Sequence, residues 1–173
     1  GMNYVILANK ATKTLYLIQR TDTAWRLKKS YYAAVGENKG RKKREGDLKT
    51  PEGVYFIVGR KEDNELPPIY GPYAFILNYP NDTDRREGRS GKGIWIHGTD
   101  NDSIPIQTKG CLELENGAVS ELVGSIGMGI GVPVVIIDKS DLVNPLTFPD
   151  YRLLARRRLA VMKRYLPLQK KLV

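Results

Sequence analysis

His97 is the only histidine of this 173-residue chain and Cys111 its only cysteine, and the two stand 14 positions apart. They lie in the segments Ile-Trp-Ile-His-Gly-Thr and Thr-Lys-Gly-Cys-Leu-Glu-Leu. A thiol attacks a carbonyl carbon well only as thiolate, and a free cysteine titrates near ~8.5, so the reaction needs a neighbouring base. His97 is the one imidazole on offer. Gly110 before Cys111 lets the backbone turn tightly, so that consecutive N–H groups can converge on a developing oxyanion. Gly98 after His97 leaves space for a substrate or permits an unusual φ. On residue types alone two readings stand, a nucleophile with its base or a buried structural thiol beside a hydrogen-bonded core histidine. One His and one Cys fall short of the three or four ligands of a usual metal site unless carboxylates join them. No metal or other cofactor is expected.

The body that must position this pair reads as strands. Tyr4-Val5-Ile6-Leu7 and Thr14-Leu15-Tyr16-Leu17-Ile18 are β-branched and aromatic runs joined by a polar turn, a hairpin pattern. Residues 24–28 alternate apolar with polar and extend the meander, and residues 31–35 offer a further strand. Residues 37–47, without an apolar anchor, read as a solvated loop. Thr50-Pro51-Glu52-Gly53 is turn chemistry feeding the strand Val54-Tyr55-Phe56-Ile57-Val58. Pro67-Pro68 marks an irregular crossing, residues 73–77 a buried strand and residues 81–92 a surface loop. Ile94-Trp95-Ile96 is a short strand aimed at His97. After Cys111, Ala118, Leu122 and Ile126 predict one helix over residues 117–126 capped by Asn116, and residues 132–137 close the body as a strand.

The charge is unevenly placed. The net charge is +9, and residues 151–173 hold eight basic side chains and no acid, so all but one of the excess charges sit in the tail. Tyr151, Ala155, Leu159, Met162 and Leu166 make a helical stripe there, with Arg156, Arg157, Lys163 and Arg164 off it. Such a helix either packs on the domain with a solvated basic face or docks on an anionic surface, lipid headgroups or an acidic polymer. No zinc-ligand set and no RNA-binding aromatic signature is present, so a nucleic-acid partner is not expected. No apolar run reaches the roughly 20 residues of a membrane helix. No signal peptide is visible, and Gly1 ahead of Met2 reads as a cloning remnant, compatible with a native leader removed upstream.

Ile96-His97-Gly98-Thr99 followed by Thr108-Lys109-Gly110-Cys111-Leu112 resembles the signature of the L,D-transpeptidase catalytic domain of YkuD type. Lys49-Thr50-Pro51-Glu52-Gly53-Val54-Tyr55 resembles that family's Thr-Pro-x-Gly strand entry, and Gly131-Val132-Pro133-Val134-Val135-Ile136 its closing strand. The resemblance implies a mostly-β fold, a sandwich or barrel with one short helix after the cysteine. It places the catalytic domain at residues 1–145 and leaves residues 146–173 as a basic, amphipathic helical extension.

The implied chemistry is acyl transfer on peptidoglycan stem peptides: cleavage after the L-centre of diaminopimelate in a tetrapeptide stem, with release of D-alanine. The acyl group passes to an amine or to water, and carbapenems acylate enzymes of the family. Carried over, Cys111 is the nucleophile and His97 its base, oriented by a backbone carbonyl. The N–H groups of Gly110 and Cys111 form the oxyanion hole. Gly98, Thr99, Thr108 and Lys109 are the expected substrate-binding residues, Gly98 and Thr99 lining the cleft and Thr108 also supporting the loop through its hydroxyl. Two positions depart from the family pattern: Lys109 where His is frequent, and Glu113, a partner for Lys109, where Arg or Asn is frequent. The spacer between His97 and Thr108 is also short. The alternatives are an L,D-carboxypeptidase or crosslink hydrolase using water, or a wall-binding module without turnover. Peptidoglycan places the expected site of action in the periplasm or cell envelope.

Overall fold

A computed structural model describes residues 3–101, 103, 105–147 and 150–169. Strands β1 (Tyr4–Asn9) and β2 (Thr14–Arg20) form the expected antiparallel hairpin, from Tyr4↔Gln19 to Asn9↔Thr14. β3 (Trp25–Tyr32) continues the meander. β4 (Gly53–Glu62), β5 (Tyr73–Leu77), β6 (Trp95–His97), β7 (Leu112–Glu113) and β8 (Pro133–Ile137) complete one eight-stranded sheet in the order β3-β2-β1-β8-β4-β5-β6-β7. The sheet curls into a half-barrel at β4. Residues 53–56 of that ten-residue strand pair with β8, whereas Ile57 to Glu62 pair with β5 across a register shift between Ile57 and Gly59. An irregularity of this kind bends a strand and increases its twist.

Strand alternation sends successive side chains to opposite faces. In β1, Ile6 and Ala8 enter the concave core with Leu17, Ile57, Phe75, Ile96 and Leu112. Helix α2 (Asn116–Ile126) closes that core with Val119 and Leu122. Val5 and Leu7 point outwards and join Ile18 and Val135 beneath Leu154 of helix α3 (Tyr151–Gln169). Among the described residues no helix is long and apolar enough to cross a membrane.

Several local expectations are corrected. Residues 31–35 are not a separate strand: β3 runs through Tyr32, and Ala34 and Gly36 then make isolated bridges to Glu113 and Thr108. Residues 37–47 are not simply solvated. Lys42, 3% exposed, pairs with Asp47 at 2.8 Å, and Asp47 also accepts the N–H groups of Lys43, Arg44 and Lys49. Residues 81–92 likewise contain helix α1 (Asp82–Arg86), whose Asp84 is buried against the Tyr55 hydroxyl and Arg89. Helix α2 starts one residue early, with Glu115 at its N-cap and the Asn116 side chain engaged elsewhere. In α3 the packed face is set by Leu154, while Ala155 and Leu159 of the expected stripe are exposed. The side chains of Tyr151 and Leu166 lie outside the described residues.

Candidate active site

The cysteine sits on a turn whose backbone is held from three sides. Gly110 adopts φ +140, where a Cβ would lie 2.9 Å from the Lys49 carbonyl, so only glycine fits without strain. The Thr108 hydroxyl accepts the Gly110 N–H at 3.0 Å and donates to the Cys111 carbonyl at 2.7 Å. From the strand entry at the other end of the sequence, the fully buried Thr50 donates its hydroxyl to the Gly110 carbonyl at 2.9 Å and accepts the Gly36 N–H at 2.8 Å. Lys10 Nζ holds the Thr50 carbonyl at 2.8 Å.

In a planar trans peptide the C=O and N–H point in opposite directions. Fixing the Gly110 carbonyl on Thr50 therefore aims the Cys111 N–H away from the core, and among the described residues that N–H has no partner. Of the two adjacent N–H groups expected to form an oxyanion hole, that of Gly110 donates to Thr108, and that of Cys111 has no partner among the described residues.

The parallel pair β6–β7 brings the two halves of the site together, with Ile96 opposite Leu112 and His97 opposite Glu113. Ile96 and Leu112 face the core, so Trp95, His97, Cys111 and Glu113 belong to the other face. The Cys111 Sγ donates to the Gly93 carbonyl at 3.2 Å and accepts the Trp95 N–H at 3.4 Å. His97 lies two residues along the same strand, a rise of roughly 7 Å. Its Nδ1 lies 2.6 Å from the Gly98 carbonyl, an acceptor, which puts the proton on Nδ1 and leaves Nε2 as the basic nitrogen. Burial lowers the pKa of His97, opposed by the Gly98 carbonyl. Burial pushes the Cys111 thiol up to about 11, with the Glu113 charge adding to the rise and the Trp95 N–H and Lys42 opposing it. Burial thus favours the uncharged form of both groups.

Tyr70, which nothing in the sequence singles out, lies edge-on to the His97 ring at 5.0 Å and tilted against Trp95 at 5.0 Å. It follows Pro67-Pro68 in an irregular segment with no periodicity to mark it. Gly98 does not adopt the unusual φ the sequence allowed for, and the space left by its missing Cβ is taken by Asn116 Oδ1, 2.3 Å from where that atom would lie. Gly71, at φ +68, makes the same accommodation. Asn116 Oδ1 accepts the Thr99 N–H at 2.8 Å and its Nδ2 donates to the Thr99 carbonyl at 3.0 Å, locking the residues after His97 onto α2. The pKa of the Glu113 carboxyl is raised by burial first and by Asp100, opposed by the Thr99 side chain. Lys109 is exposed and makes no ion pair with Glu113. Among the described residues no cluster of three or more His, Cys, Asp or Glu side chains is arranged to hold a metal ion.

The half-barrel thus carries a cysteine on a glycine turn and, on the same sheet face, a histidine oriented by a backbone carbonyl. Residues 3–136 match the profile of the YkuD family, the L,D-transpeptidase catalytic domain, and the chain belongs to that family. It is 33% identical over 115 residues to YafK of Escherichia coli (strain K12), covering 65% of this chain and 43% of that protein. Among solved structures it is similar to the helical cell shape determining protein Pgp2 from Campylobacter jejuni, with TM-score 0.71 and 33% identity over 81% of this chain and 49% of that one. Bd1075 of Bdellovibrio bacteriovorus superposes with TM-score 0.67 and 30% identity, covering 93% of this chain and 55% of that one. The chain thus spans about half the length of these relatives.

Proposed function

We propose that the chain is a peptidoglycan L,D-transpeptidase working through a Cys111 thioester, with His97 as general base and then general acid. The observation that supports this reading is the His97 imidazole held through Nδ1 by the Gly98 carbonyl, on the same sheet face as a thiol whose own backbone N–H has no partner among the described residues. As the thiol leaves the Gly93 carbonyl, Sγ adds to the carbonyl carbon of the diaminopimelate L-centre and its proton passes to Nε2. The Cys111 N–H stabilises the oxyanion. Collapse breaks the amide bond, and the imidazolium gives its proton to the departing D-alanine amine. An acceptor amine, deprotonated by His97, then attacks the thioester, forming the new amide and restoring the thiol.

Water in place of the amine would make the same thioester serve hydrolysis. The similarity to Pgp2 supports a role in cell shape, and peptidoglycan as substrate implies action in the cell envelope or periplasm.

The test is incubation with a tetrapeptide-stem muropeptide, following D-alanine release and the mass of the protein. The expected result is release with a transient adduct on Cys111, absent in Cys111→Ala and formed roughly 10²–10⁴ more slowly in His97→Ala. A folded sample giving neither turnover nor adduct would sink the reading. Product masses with and without added acceptor stem tell amine from water.

A further inference from the structure

Away from Cys111, a cleft of about 310 Å³ lies between α1, α3 and the start of β4. Its walls carry Arg85 and Arg86 from α1 and Arg157 and Arg164 from α3, over an apolar floor that includes Phe56 and Val161. One carboxylate serves this group: Asp82 Oδ1 lies 3.3 Å from Arg85 and 3.2 Å from Arg164. Arg86 Nε donates to the Asp82 carbonyl at 3.3 Å, and among the described residues Arg157 has no carboxylate partner. Four guanidinium groups against one carboxylate make a positively charged cleft whose planar donors match phosphate oxygens.

The cleft continues onto the ridge of α3. Leu154 fixes which face of this helix is buried, and helical periodicity then puts Arg152, Arg156, Leu159 and Lys163 on the opposite face, where all four are exposed. Leu159 is 64% exposed and Leu153, beside the cleft, 42%. Large apolar side chains interspersed with arginines add nothing to binding of a hydrated polyanion. At a bilayer interface they enter the headgroup boundary while the cations meet phosphate.

We propose that the α1–α3 cleft and the α3 ridge form a peripheral docking surface for the phosphodiester headgroups of an anionic lipid bilayer. α3 lies on the convex side of the sheet over Val5, Leu7 and Val135, and no cleft residue belongs to the Cys111 site, so docking leaves that site open. The inference is independent of the chemistry at Cys111.

The test is co-sedimentation of the protein with phosphatidylglycerol-containing vesicles and with pure phosphatidylcholine vesicles. Binding is expected only to the anionic vesicles, and weaker at high salt. The double variant Arg157→Gln/Arg164→Gln should bind about 30-fold more weakly, the expected loss for two basic residues at an anionic surface. Leu159→Ser should also weaken vesicle binding while leaving any binding to soluble polyphosphate unchanged. Unaltered thermal melting of these surface variants shows that they fold. Equal binding to neutral vesicles, undiminished binding by the arginine variant, or binding to polyphosphate without binding to vesicles would each overturn the proposal.

Discussion

Thr50→Val removes one hydroxyl and keeps the shape of a side chain with no exposed surface. Two backbone groups lose their partner, the Gly110 carbonyl at 2.9 Å and the Gly36 N–H at 2.8 Å. A buried polar group left unsatisfied costs about 1–3 kcal/mol, so the folded state should lose about 2–4 kcal/mol, Gly36 being only half-buried. Lys10 still holds the Thr50 carbonyl, which keeps the strand entry in place. The functional effect is separate. Once the Gly110 carbonyl is released, the Cys111 N–H is no longer aimed, and removing one oxyanion donor costs roughly 10²–10³ in rate.

Carbapenem acylation of Cys111, followed by mass spectrometry, needs an oxyanion to be stabilised. Alkylation by iodoacetamide needs the thiolate and no oxyanion. In Thr50→Val the first should slow by about two orders of magnitude while the second is unchanged, and Thr50→Ser should restore the first. If both reactions slow together, Thr50 only maintains the fold around the thiol. If neither changes, other contacts aim the peptide and the argument fails.

Two further outcomes follow from the electrostatics. Glu113→Gln removes a negative charge that helps raise the Cys111 thiol, so the midpoint of the iodoacetamide pH profile should move down from about 11. Each unit of downward shift raises the thiolate fraction at pH 9 roughly tenfold, and an unmoved or raised midpoint would mean that Glu113 does not act on Sγ. Because burial lowers His97, its neutral, proton-accepting form persists to lower pH. The acid limb of carbapenem acylation should therefore lie below the ordinary imidazole value of ~6.5, and a limb at or above it would contradict the buried, neutral base.

Much of this architecture was legible because it is local. The alternation of β1 and β2, the turn at Pro51-Glu52-Gly53 and the glycine before Cys111 each announce themselves within a few residues. What stayed hidden is held by long-range polar contacts. Thr50 and Gly110 are 60 positions apart, and nothing near either says that one hydroxyl joins them. Lys42 and Asp47 look like ordinary loop charges until the fold buries both. The registration of α3 failed for another reason. With apolar residues at 153, 154, 155 and 159, the sequence allows more than one packed face, and the patch formed by Val5, Leu7 and Val135 selects Leu154. Asn116 was read by position as a helix cap, but Gly71 and Gly98 create the space that draws its side chain across to Thr99.

The resting site has a consequence for when reaction begins. A thiol pushed up to about 11 and donating to the Gly93 carbonyl is almost wholly protonated at neutral pH, so it is a poor target for stray electrophiles. Burial of the imidazole likewise disfavours a charged thiolate–imidazolium pair. Both terms come from burial, and both favour proton transfer only when a carbonyl is present to accept the sulfur's electron pair and the Cys111 N–H to receive the oxyanion. Tyr70, itself tilted against Trp95, packs its ring on the apolar side of His97, while Asn116 holds the polar side through Thr99. Under the proposed function, selectivity for a bound acyl donor over free reagents would follow from the desolvation of the pair, with Thr50 aiming the N–H that would receive the oxyanion once the donor is bound.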